Sequence, residues 1–352
     1  MLGLAASTVS LRVAELASNG LIIEEGAGES TGGRRPRILR LREHQDFVLS
    51  AELGARHVRI GRVDRTGALH EVENLPVLVS EGPERTLRLI ADGMRAVSGR
   101  AEREGGRCRG VGIALPGPVD ARSGGVELPS RMPGWQGFSV LSWFENEFDV
   151  PTAVDNDANS MALGEHFSQL GPDDHSITVK AGTAIGSGII VSGSLHRGAT
   201  GAAGDITHTR VPAAGSEPCS CGNVGCLETV ASGAGLVRQL REHGVDVRTT
   251  ADVITLSHDA HPRATTLVRT AGTHLGEVLS SVVNFFNPDA VFITGSMSSS
   301  EPFIAAVRSR IYEGCHPLAT RNLRIEAAST GADAGLLGAA RLALEKIAPF
   351  SS

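Results

Sequence analysis

Apolar residues return at helical spacing over residues 5–17: Val9, Val13 and Leu16 share one face, Ser7 is placed to cap the first turn, and Gly20 stops the run. Residues 21–23, Leu-Ile-Ile, then predict a short strand, residues 26–33 a glycine-rich turn, and residues 34–42 a strand with five arginines and no acid. Helix, strand, hairpin and basic strand match the second half of a winged helix-turn-helix. Thr8, Ser10 and Arg12 would lie near the start of its recognition helix, and Arg34, Arg35 and Arg37 on its wing. An ordinary N-terminal helix and hairpin with a solvated basic strand gives the same pattern.

From Phe47 onward the spacing is that of an α/β protein. Residues 47–53 and 57–63 predict strands around Gly54, residues 84–98 a helix, and residues 111–115 a buried strand ending in Pro116-Gly117-Pro118. Residues 177–181 and 185–192 repeat the opening plan of strand, glycine turn, strand, with Gly182 standing 128 positions after Gly54. Two lobes that each open this way suggest the actin-like sugar-kinase architecture; plain hairpins in another α/β protein would look similar. A final helix is predicted over 331–347, where Ala332, Gly335 and Gly338 permit close packing. The expected division is a partial winged helix-turn-helix at 1–44, a first α/β lobe of 45–157 with 333–352, and a second lobe at 158–332.

Composition narrows the function classes. The 352 residues suffice for two or three domains, and the 43 glycines are not spread as a linker but sit in short clusters such as 182–188 and 198–204, where backbone must turn or approach a ligand. A net charge of −6 argues against a protein coated in nucleic acid, while leaving room for a small basic module. No run approaches the roughly 20 apolar residues of a membrane span, and no signal peptide is evident. A cytoplasmic protein is expected, so the five cysteines should be thiols or metal ligands.

Three of those cysteines stand in Cys219-Ser-Cys221-Gly-Asn-Val-Gly-Cys226, with His208 upstream. Three thiols and one imidazole make the donor set of a structural tetrahedral zinc site. Redox pairing is the competing reading, and it would leave one thiol over. Cys108 and Cys315 have no such neighbours and read as core thiols.

Gly201-Ala-Ala-Gly-Asp205-Ile-Thr-His208, followed by Cys-x-Cys-Gly-x-x-Gly-Cys-x-Glu228, resembles the signature of the ROK family of repressors, open reading frames and kinases. The resemblance extends to Gly112-Ile-Ala-Leu-Pro-Gly-Pro-Val119, Met132-Pro-Gly-Trp135, Asp155-Asn-Asp157-Ala-Asn159, Gly182-Thr-Ala-Ile-Gly186 and Phe292-Ile-Thr-Gly295. It implies a two-lobed, actin-like ATPase (ribonuclease H-like) sugar-kinase fold, assembled as a homodimer or homotetramer. It places Asn156 and Asp157 at a sugar's 4- and 6-hydroxyls, with Asp157 taking the 6-hydroxyl proton in a kinase. It gives Asp205, His208 and Glu228 to the sugar ring, and has His208 share its two nitrogens between zinc and sugar. The turns with Gly54, Gly182, Thr183, Gly186 and Gly295 would hold Mg-ATP in an active kinase. Without the resemblance, residues 155–157 would read as caps of a helix starting near Ala158.

This chain departs from the family pattern in two places. Asp205 and Thr207 stand where the family usually has Glu and Gly, which alters reach toward the sugar. The first phosphate turn resembles Asp-x-Gly-Gly-Thr in active kinases but reads Glu52-Leu-Gly54-Ala55-Arg56 here. The resulting expectation is a regulator, a repressor that senses a sugar or sugar phosphate between its lobes and has operator DNA as partner, without membrane association. The alternative is a sugar kinase acting on the 6-hydroxyl with Mg-ATP. About six residues precede the first helix, fewer than the two earlier helices of a full motif need, so weak operator binding is expected of this chain.

Overall fold

The computed structural model describes residues 6–18, 22–27, 37–41, 46–103, 105–127 and 132–347. Helix α1 (Ala6–Ser18) leads into an antiparallel hairpin of β1 (Ile22–Ala27) and β2 (Arg37–Leu41), with Ile22 opposite Leu41. Ser7 lies within α1 and does not serve as its cap. Val13 is half-buried, whereas Val9 and Leu16 stay 43% and 39% exposed.

Two five-stranded sheets follow, built to one plan. In the first, β3 (Asp46–Leu53), β4 (His57–Asp64) and β5 (Leu69–Pro76) form an antiparallel meander. Helix α2 (Pro83–Arg103) returns the chain so that β6 (Arg107–Leu115) lies parallel to β3. After the small β7–β8 hairpin (Val119–Asp120, Gly125–Val126) and α3 (Val140–Phe148), β9 (Thr152–Asn156) joins β6 in parallel. The second sheet follows α4 (Asp157–Gln169) and opens with the meander β10 (Ser176–Ala181), β11 (Ile185–Val191) and β12 (Ser194–Leu195). Four helices intervene: α5 (Glu228–Ala231), α6 (Gly233–Glu242), α7 (Thr250–His258) and α8 (Pro262–Phe286). Strand β13 (Ala290–Thr294) then pairs in parallel with β10, and after α9 (Glu301–Gly314) and α10 (Pro317–Thr320), β14 (Arg324–Ala327) pairs with β13.

The spatial orders, β5-β4-β3-β6-β9 and β12-β11-β10-β13-β14, are the same third-second-first-fourth-fifth arrangement. The turns at Gly54 and Gly182 are therefore equivalent turns of a topological repeat. The central strands are covered on both faces, which is why 48–53 and 177–181 are buried almost throughout, with Lys180 alone half-buried among them.

Between the sheets, α4 crosses α11 (Ala334–Ile347); α4 packs on β10 and β11, while α11 packs on β3, β6 and β9. Bare backbone makes the crossing possible. A Cβ on Gly338 would stand 1.6 Å from the Ser160 carbonyl oxygen, and one on Gly164 would stand 2.0 Å from that of Ala334. A Cβ on Gly112 of β6 would meet the Ala339 carbonyl oxygen at 1.9 Å, so the sheet, too, touches α11 directly.

Candidate functional site

A cavity of about 800 Å³ opens between the two sheets. Both equivalent turns line it, with Gly54 and His57 from one side and Gly182, Thr183 and Gly186 from the other. The N-terminus of α4 adds Asn156 and Asp157, and Asp205, His208, Glu228 and Gly295 complete the set. The sugar and nucleotide positions picked out by motif thus share one cavity. Trp135, fully buried, donates from its indole nitrogen to the Val79 carbonyl at 2.9 Å, and fixes a stretch of wall that includes Val79 and Met132.

Asn156 is the N-cap of α4: its Oδ1 accepts from the Ala158 and Asn159 amides at 2.9 and 3.4 Å. Its amide nitrogen donates to the Gly117 carbonyl at 2.9 Å, which leaves one N–H for a ligand. Capping and cavity-lining are here the same residue. Asp155 faces away from this role; it is buried and held by Asn159 at 2.8 Å and Arg197 at 2.7 Å.

Asp157 is buried and ion-paired with the Lys180 ammonium through Oδ2. Glu52 approaches the same pair from β3; burial and the Asp157 charge push its carboxyl up to about 7, although Lys180 and Arg59 pull the other way. Burial alone would depress Lys180, but Asp157, then Glu52 and Glu228, hold its ammonium above the ordinary lysine range. Arg59 is engaged with Asp333 at 2.6 Å and with the Ala332 carbonyl just before α11. Across the cavity Glu228 Oε2 accepts from the Ile185 amide at 2.9 Å, and Asp205 Oδ1 accepts from the Thr207 amide at 3.1 Å.

The turn at Gly54 is closed by its own residues. The Gly54 amide donates to the His57 carbonyl at 2.8 Å, and the His57 ring lies where a Cβ on Gly54 would stand, 2.6 Å from Cε1. Arg56 points into solvent outside the cavity lining. Gly182 is open by comparison: a Cβ there would have the Ser296 hydroxyl, at 3.8 Å, as its nearest neighbour. Gly295, at φ +87°, owes its identity to the turn and to contact with the Ala181 backbone.

His208, Cys219, Cys221 and Cys226 bring one imidazole nitrogen and three sulfurs within 4.8 Å of one another, a group that can hold a metal ion. His208 Nδ1 lies 3.5 Å from Cys219 Sγ, and Cys221 Sγ lies 3.8 Å from Cys226 Sγ. All three thiols are free. Burial and the adjoining thiols push Cys226 up to about 12, so three thiolates need a cation to coexist.

Of the proposed nucleic-acid residues, the described ones are not among those that line the cavity. Thr8, Ser10 and Arg12 are exposed on α1, with Arg12 paired to Glu15 at 2.8 Å. Arg37 begins β2, while Arg34 and Arg35 lie outside the described residues. Sequence reasoning missed Lys180, His57 and Arg59. Lys180 left one signal, a lone cation in an otherwise uncharged buried strand; His57 and Arg59 left none, because only the folded turn sets them on the cavity wall.

The ROK family model matches residues 48–346. The xylose repressor of Caldicellulosiruptor bescii is 30% identical over 359 aligned positions, covering 98% of this chain and 90% of that protein. A ROK hexokinase from Thermus thermophilus matches with a TM-score of 0.70 and 31% identity, over 86% of this chain and 99% of its own. The crystal structure of a ROK family transcriptional regulator, homologous to the E. coli MLC protein, matches with a TM-score of 0.80 over 98% of this chain and 89% of its own, at 22% identity.

Proposed function

The chain belongs to the ROK family, and we propose that it is a sugar-responsive transcriptional regulator of that family, a repressor rather than a kinase. One observation carries this reading: the repressor match runs through 98% of the chain, whereas the hexokinase match leaves about a seventh uncovered, a share equal to the helix and hairpin before residue 48. Residues 1–44 would form the DNA-binding module, with Thr8, Ser10 and Arg12 toward the major groove and Arg34, Arg35 and Arg37 toward phosphates. Segments 45–157 with 333–352, and 158–332, would be the lobes that close on sugar. Rotation about the α4–α11 crossing would then reorient paired modules in a homodimer.

Asp157, Asp205, His208 and Glu228 supply oxygens and a ring nitrogen for hydroxyls, and Asn156 adds its one remaining N–H. The metal cluster fits zinc. Bonds of about 2.3 Å to sulfur in a tetrahedron give edges of about 3.8 Å, against the 3.8 and 3.5 Å separations of its ligand atoms. Zinc held there would fix the loop from His208 to Cys226 and bind His208 through Nδ1, leaving Nε2 for the sugar.

Phosphoryl transfer is the second reading, favoured by Asp157 in its cavity position and by the open Gly182 turn. Against it stand Glu52, Ala55 and Arg56 in the first turn, the His57 ring over Gly54, and a Lys180 ammonium already occupying Asp157. A displacement of about 1 Å can cost on the order of 100-fold in rate. Calorimetry with a hexose and N-acetylhexosamine panel should show sugar binding, weakened about 10–100-fold by Asp157→Ala because a hydrogen bond to a charged group is lost. A coupled assay with Mg-ATP should show no phosphorylation. Turnover in the range of about 1–1000 per second, lost in Asp157→Ala, would make the protein a kinase.

A further inference from the structure

Resting on the sugar-sensor reading, we infer that the effector is an uncharged sugar of at least two rings, with one ring held at Asp157 and Glu228 and the next against Thr183, Thr250 and Ser296. Volume is the first reason. A hexose displaces about six waters, roughly 180 Å³ at 30 Å³ each, and the cavity holds about 800 Å³. Binding cavities enclose most of their ligand's surface; a single ring would leave most of this one wet even after partial closure. Two rings displace about 360 Å³, nearly half of it, before any closure.

The second reason is what lines the remainder. Thr183 and Thr250 bring their hydroxyls within 3.5 Å of each other, Ser296 faces Gly182, and Ser298 lies one turn on with its hydroxyl donating to the Gly295 carbonyl at 2.7 Å. Hydroxyls both donate and accept, so they suit a polyol. Charge is the third reason. Four carboxyl groups, Glu52, Asp157, Asp205 and Glu228, line the cavity. Its strong cations are already engaged, Lys180 by Asp157 and Arg59 by Asp333. Partial desolvation of its ring, with Arg59 and Lys180 nearby, holds His57 below the ordinary histidine range. A phosphate group would enter an acidic cavity and find no free cation among the described lining residues.

The test is calorimetry on the full chain with four disaccharides (maltose, cellobiose, xylobiose and N,N'-diacetylchitobiose), their three monosaccharides (glucose, xylose and N-acetylglucosamine), glucose 6-phosphate and Mg-AMPPNP. At least one disaccharide should bind 10-fold or more tightly than its own monosaccharide. Ser296→Trp, which fills the outer part of the cavity from an exposed position, should bring that ratio to near one. Disaccharides and monosaccharides binding alike would overturn the two-ring inference while leaving the sensor standing. Tighter binding of glucose 6-phosphate or Mg-AMPPNP would overturn the charge argument. Failure of every sugar to bind would overturn the sensor reading itself, and this inference with it.

Discussion

Replacing Glu52 by Gln removes a carboxyl that burial and the nearby Asp157 push from an ordinary 4.5 up to about 7. The unfolded chain releases this proton near 4.5, the folded chain near 7. Between those values the folded state holds one proton more, so stability is fullest below 4.5 and declines as pH rises toward 7. Each unit costs about 1.4 kcal/mol, giving about 3 kcal/mol in all, with no further loss above 7. Glu52 is only 8% exposed, so solvent screening does little to reduce this. Gln keeps the shape and cannot ionise. Urea unfolding of both proteins at pH 5, 6, 7 and 8 isolates the effect, because groups that do not feel the Glu52 charge cancel in the difference, and Lys180, which does, is held above the ordinary lysine range and stays charged throughout. The stability of Glu52→Gln relative to wild type should grow by about 2–3 kcal/mol from pH 5 to pH 8. Curves that stay parallel within about 0.5 kcal/mol would mean that Glu52 ionises freely, and that the Lys180–Asp157–Glu52 cluster is wetter than its burial indicates.

Other consequences follow from the remaining features. A folded, untreated sample should carry one zinc per chain by metal analysis, and Cys221→Ser should lower both the loading and the sugar affinity; a loading well under one per chain would rule zinc out. Replacing Arg34, Arg35 and Arg37 with Ala should flatten the slope of log affinity for operator DNA against log salt by nearly 3, about 0.9 for each phosphate contact. An unchanged slope would make the basic strand a solvated one. Gly338→Ala should destabilise the protein by about 1–3 kcal/mol or more, because its Cβ would fall 1.6 Å from the Ser160 carbonyl oxygen; a thermal midpoint equal to wild type would show that the two helices can part without cost.

How much of the molecule is legible in its sequence depends on whether the signal is local. The repeat of strand–turn–strand at Gly54 and Gly182 points to two equivalent sheets, because each meander is written in consecutive residues. The metal ligands are legible for the same reason, with three cysteines in one short loop. Asn156 reads as either cap or ligand, and the fold uses its carbonyl as a cap while it lines the cavity. Ser7 misleads because a serine in the first turn of a helix looks like one just before it. Lys180 escapes because its partner Asp157 stands 23 positions earlier, on α4, and His57 because only the closed turn lays its ring over Gly54, three positions back. Metal-loop spacing can be read along a chain; an ion pair between a helix start and a strand of another element cannot.

The helix crossing also limits how the protein can change. A contact between two side chains can be repaired after mutation by trimming its partner, and related proteins drift by such paired exchanges. At Gly338 and Gly164 the partner is a carbonyl oxygen, from Ser160 and Ala334 respectively. Every amino acid carries that oxygen, so no substitution at 160 or 334 can make room for a larger residue opposite. These two glycines have no possible suppressor at the contact itself. A collection of second-site revertants of Gly338→Ala should therefore map to residues that shift a whole helix, and never to Ser160.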